Sequence, residues 1–151
     1  MSPGQNLAGE PRDALDLSDV VVPRQRASVV PPLMGEQLRL RGALSRVLLM
    51  TGAAEHTLDM AVRYAQERIQ FGRAIARFQA VQHQLARIAA ETAALRAASQ
   101  AALRAARDEP VHWQPVAAAK VRAGRAAGET ATIAHQVQAP WASPGSTGCG
   151  G

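Results

Sequence analysis

The chain has 151 residues, 47% of them hydrophobic but only 3% aromatic, which allows one ordinary domain packed mainly by small side chains. The formal net charge is +5, yet of the 17 basic residues only Lys120 is a lysine, and the arginines are scattered rather than clustered. That scatter, with the alanine enrichment of a GC-rich coding sequence, argues against nucleic-acid binding. Cys149 alone excludes a disulfide framework within one chain. No apolar run approaches the ~18 residues of a membrane span. Met1 to Arg12 lacks the apolar core of a secretory signal, so a cytoplasmic location is expected.

Residues 1–34 carry Pro3, Gly4, Gly9, Pro11, Pro23, Pro31 and Pro32, a spacing that forbids a long helix. Within them, Ala14 to Val22 opens with alternation of apolar and polar residues, which predicts one short strand, or two around a turn. A first helix is predicted from Gly35 to Ile69, on the three- and four-residue steps of Leu44, Val47, Leu48, Leu58, Ala61, Val62, Ala65 and Ile69. Gly42 and Gly52 weaken it by ~1 kcal/mol each. Phe71-Gly72 is read as its end, with glycine in the turn after a helix.

A second helix is predicted from Phe78 to Asp108, with the stripe Val81, Leu85, Ile88, Thr92, Leu95, Ser99, Leu103 and Ala106, closed by Pro110. A third runs from Trp113 to Gln138, with Pro115 tolerated in its first turn. On it, Gly124 and Gly128 form a small-residue face that would let another backbone approach. Residues 139–151 have no periodicity and are read as an irregular tail. Three long helices with short connections predict a mainly α fold: an up-down-up arrangement, an up-and-down four-helix bundle lacking its fourth element. Its open apolar stripes would favour self-association.

The connection between the first two helices carries the chemistry. It contains Tyr64, Arg68, Gln70, Phe71, Gly72, Ile75, Phe78 and Gln79 in the pattern Tyr-x-x-x-Arg-x-Gln-Phe-Gly-x-x-Ile-x-x-Phe-Gln. This resembles the flavin-contacting signature of acyl-CoA dehydrogenases. Ala134-His135-Gln136-Val137 is similar to the family's last helix before its glycine loop, and residues 1–34 resemble the end of its middle β-domain. The resemblance implies that 35–138 is the C-terminal helical domain and that FAD is the cofactor. It implies that Arg68, Gln70 and Gln79 contact FAD, that Phe71 and Phe78 pack beside it, and that Gln136 begins another flavin-contacting segment. A guanidinium suits a pyrophosphate, and a carboxamide offers both donor and acceptor.

Taken without the pattern, Arg68 would be a surface arginine complementing a helix C-terminus, and the phenylalanines would be core anchors. His56, His83, His112 and His135 lack metal-ligand spacing, so no metal is expected. Glu55 and Asp59 are like-charged neighbours on a helix, not an acid–base pair.

The resemblance further implies an acyl-CoA substrate, an acceptor such as electron-transfer flavoprotein, and a homo- or hetero-oligomer in which these groups reach a neighbouring subunit's flavin. It assigns no catalytic residue. The base some members carry on the first helix falls at Gly42, and the Asp-x-x-Arg that touches the thioester in many members falls at Leu40 and Ala43. The chain is therefore read as truncated, colourless and inactive alone; the alternative is a helical partner subunit completing another chain's flavin site. GC-rich codons for Gln138 to Gly151, shifted by one base from Ala139 onward, would encode the family's glycine loop, so the tail is expected to be out-of-frame translation, which the gene's DNA tests.

Overall fold

The computed structural model describes residues 3–6, 9, 11–107 and 110–138, with the backbone alone at Gln138. The tail from 139, with Trp141 and Cys149, lies outside the described residues. The chain divides into two compact units, Met1–Pro32 and Leu33–Gly151.

The first unit forms no regular strand among its described residues. Gln5 and Pro11 make an isolated antiparallel bridge. The Arg12 amide donates to the Gly4 carbonyl at 2.7 Å, and the Arg12 carbonyl oxygen lies 2.7 Å from where a Cβ on Gly4 would stand. The strand expected between Ala14 and Val22 is not there. Asp16 accepts hydrogen bonds from the hydroxyl and the amide of Ser18, and the Val20 amide donates to the Leu17 carbonyl. This side-chain capture turns the chain where the alternation suggested extension. The same two bonds, the hydroxyl's first, hold the Asp16 carboxyl below its ordinary value. A short 3-10 turn follows at Arg24–Arg26.

The second unit is built from three helices: α1 (Pro32–Glu67), α2 (Gln79–Ala105) and α3 (Trp113–Gln138). Pro32 starts α1 because proline's fixed φ suits the first helical position and its missing amide costs nothing there. Each helix carries an unbroken three-four alternation of inward positions. In α1 these are Leu44, Val47, Thr51, Ala54, Leu58, Ala61 and Ala65; in α3 they are Val116, Ala119, Ala123, Ala126, Thr130, Ile133 and Val137. In α2 they are Val81, Leu85, Ile88, Thr92, Leu95, Ser99 and Ala102. Ala102 takes the inward place expected of Leu103, which is 43% exposed, because the seven-residue step from Leu95 lands on 102. Leu48 and Ile69, also expected inward, lie outside this repeat and are exposed.

These stripes form two apolar clusters. One joins Leu44, Val47, Leu95, Val116 and Ala123; the other joins Ala61, Ile75, Ile88, Ile133 and Val137. Between them on α2 and α3 lie Thr92 and Thr130, buried with hydroxyls that have no hydrogen-bond partner. The backbones of α2 and α3 approach most closely. Alanine at 119, 123 and 126 permits this. Gly124 and Gly128 are exposed, and a Cβ on either would meet nothing within 4 Å, so among the described residues no backbone approaches that face.

Polar contacts fix the helix register. The Gln37 carboxamide donates to the Val111 carbonyl (3.2 Å) and accepts from the Val111 amide (2.7 Å), tying the start of α1 to the α2–α3 connection. Arg122–Glu91 and Arg87–Glu129, each at 2.9 Å, join α2 to α3. Arg96–Glu55 (3.5 Å) joins α2 to α1. No described helix is long and apolar enough to cross a membrane.

Candidate functional site

The α1–α2 connection is a small hairpin, not a helix cap. The Arg68 amide makes the last bond to the Tyr64 carbonyl at 2.9 Å, and the chain then turns into β1 (Ile69–Gln70) and β2 (Arg73–Ala74). Ile69 opposes Ala74 and Gln70 opposes Arg73. The two residues between them, Phe71 (φ 50°) and Gly72 (φ 76°), both adopt the left-handed conformation, as a type I′ hairpin turn demands. Glycine accommodates this freely; phenylalanine costs about 1 kcal/mol there. The Ile75 amide closes the hairpin on the Arg68 carbonyl at 2.8 Å, and one 3-10 turn (Ile75–Arg77) delivers Phe78 to the start of α2.

Phe71 is 84% exposed, so no burial offsets its strained backbone. Its ring meets Phe78 edge to face, with centroids 6.2 Å apart, and the Arg73 guanidinium lies 4.3 Å from the centre of the Phe78 ring. Under this stack is a recess of about 370 Å³. Its walls include Phe71, Ile75, Phe78, Val81 and Val137, and its polar lining consists of three carboxamides, Gln70, Gln84 and Gln136. The Gln84 Nε2 donates to the Gln136 Oε1 at 3.2 Å.

Four of the six residues singled out in the sequence, Gln70, Phe71, Phe78 and Gln136, thus surround one recess. Arg68 and Gln79 do not line it; both are exposed on its flanks. Ile75, Val81, Gln84 and Val137 were not singled out. Ile75 is at a motif position, but a lone Gln on a helix carries no signal until α3 is placed beside it. The electrostatics are one-sided. Arg68, Arg73, Arg77 and Arg87 occur between positions 68 and 90 without a single acidic residue, and only Arg87 of these makes an ion pair among the described residues. Leu40 and Ala43 pack against the core, and Gly42 is exposed on α1.

The chain is thus a three-helix unit with an aromatic, amide-lined recess at the α1–α2 hairpin and arginines beside it. The comparisons with known proteins give the family. The description "Acyl-CoA dehydrogenase, C-terminal domain" matches residues 40–140. The chain is 34% identical over 96 residues to the acyl-CoA dehydrogenase IpdE2 of Mycolicibacterium smegmatis, covering 60% of this chain and 29% of that protein. It is 34% identical over 136 residues to the probable acyl-CoA dehydrogenase FadE25 of Mycobacterium tuberculosis, covering 89% of this chain and 31% of that protein. It is 50% identical over 46 residues to an acryloyl-CoA reductase (NADH) of Anaerotignum propionicum, covering 30% of this chain and 12% of that one. The chain belongs to the acyl-CoA dehydrogenase family, and it spans about a third or less of the length of these relatives.

Proposed function

We propose that the chain supplies the flavin-contacting helical face of an FAD-dependent acyl-CoA dehydrogenase, an enzyme that desaturates acyl-CoA thioesters between Cα and Cβ. The observation that carries this reading is Phe71: an aromatic ring in a strained turn, exposed, at the rim of a recess lined by three amides. A conformation that costs free energy, in a ring left mostly exposed with Phe78 as its aromatic neighbour among the described residues, fits a residue reserved for a ligand.

The recess fits one end of FAD. Its volume suits a single ring system rather than a whole dinucleotide, its walls are apolar and aromatic, and its amides match the heteroatoms on a ring edge. The unpaired Arg68 and Arg77 and the stacked Arg73 suit the pyrophosphate next to it. Bound there, FAD supplies a two-electron acceptor for the hydride leaving Cβ. The residues of this chain hold and orient the cofactor and keep water from one of its faces. They do not remove the α-proton: Gly42, Leu40 and Ala43 bring no carboxylate or guanidinium to the substrate. The general base and the remaining flavin contacts would come from another part of the assembly, with an acceptor such as electron-transfer flavoprotein as the partner that would take up the electrons.

Ligand-observed saturation-transfer NMR on the full chain tests the reading. FAD should receive saturation and titrate to a dissociation constant. Arg68→Ala should weaken it roughly tenfold, as expected when a charge-assisted hydrogen bond is removed, and Phe71→Ala should weaken it as well. Absence of transfer, or unchanged affinity in both variants, overturns the proposal.

A further inference from the structure

The recess has few polar groups, so the direction in which each points decides what it accepts. A carboxamide is a donor at one end and an acceptor at the other, and a free one turns to suit any partner. Gln136, exposed in the last turn of α3, would be free in this sense but for Gln84, which reaches across from α2 and donates to its Oε1 at 3.2 Å. With that oxygen engaged, both hydrogens of the Gln136 Nε2 remain to be offered. The surrounding walls at Val81 and Val137 cannot compete for them.

We propose that Gln84 is a positioning residue: it locks the Gln136 carboxamide with its NH₂ as the donor edge of the recess, so that the site selects a ring whose edge presents an acceptor atom. This rests on the reading of the recess as a flavin-cofactor site and deepens it. Gln84 acts through Gln136, across 52 residues of sequence, and stands outside the motif that runs from Tyr64 to Gln79.

A double-mutant cycle on the full chain, read by saturation-transfer titration with FAD, tests it. Gln84→Met keeps the length and apolar packing of the side chain but removes the donor. It should weaken FAD about fivefold, the equivalent of one neutral hydrogen bond, without moving the thermal midpoint followed by circular dichroism. In a Gln136→Ala background the same change should have no further effect, because there is no amide left to orient. Losses that simply multiply, or a Gln84→Met chain that binds FAD like wild type, overturn the inference and leave the flavin reading intact. A wild-type chain to which FAD does not bind overturns the flavin reading, and the inference with it.

Discussion

Phe71 is held where a β-turn asks for asparagine or glycine. Two opposing contributions meet there. The left-handed backbone costs about 1 kcal/mol, and the edge-to-face contact with Phe78 returns ~0.5–1.5 kcal/mol. Phe71→Asn, which relaxes the turn and removes the ring together, should therefore shift the unfolding free energy by less than ~1 kcal/mol. Urea denaturation measures this. A larger loss would mean that the ring supports the fold rather than a ligand. Thr92 and Thr130 stand at the other extreme. Their hydroxyls are buried and unpartnered, so each is a local cost in the isolated unit.

At the scale of the helices, the inward repeat of α1, α2 and α3 predicts which replacements the bundle tolerates. Gly124→Ala and Gly128→Ala should each stabilise by up to ~1 kcal/mol, since alanine favours helix and the added methyl meets open space. Thr130→Val should be neutral or stabilising, because it removes a buried hydroxyl without a partner. Leu95→Ala, fully buried between α2 and its neighbours, should cost 2–5 kcal/mol by order of magnitude (~). Thermal melts of the four variants rank them; a destabilised Gly124→Ala would restore the close-approach reading of that face. The helices were legible because their stripes repeat over three to five turns, and their ends agree with the structure to within three residues. The hairpin was not, since strands of two residues are too short to show alternation. The stretch from Ala14 to Val22 failed for the opposite reason: it alternates, but Asp16 and Ser18 offer the backbone a local partner that a pattern of hydropathy does not register. For the candidate site, the motif located the residues that line one wall. Gln84 and Val137 became visible only once α2 and α3 were side by side.

For the helical unit as a whole, the order of elements follows the expected up-down-up course, and family membership rests on the stretch from 40 to 140. One contact spans most of it. The clamp between Gln37 and Val111 joins residues 74 apart, and Val111 is 3% exposed. Gln37→Ala leaves a buried amide and carbonyl without their partner and should cost about 1–3 kcal/mol, read as a lowered denaturant midpoint. Small loss would mean that water takes the place of the carboxamide.

That clamp also makes the Val111 amide proton a clock. Its acceptor is a side chain of a different helix, so it trades with deuterium when the Gln37 carboxamide lets go of it, as it must when α1 lifts away from the α2–α3 connection, whereas amides inside each helix trade when that helix frays. Followed alone, this one proton times the release of that clamp, separately from the unravelling of any one helix.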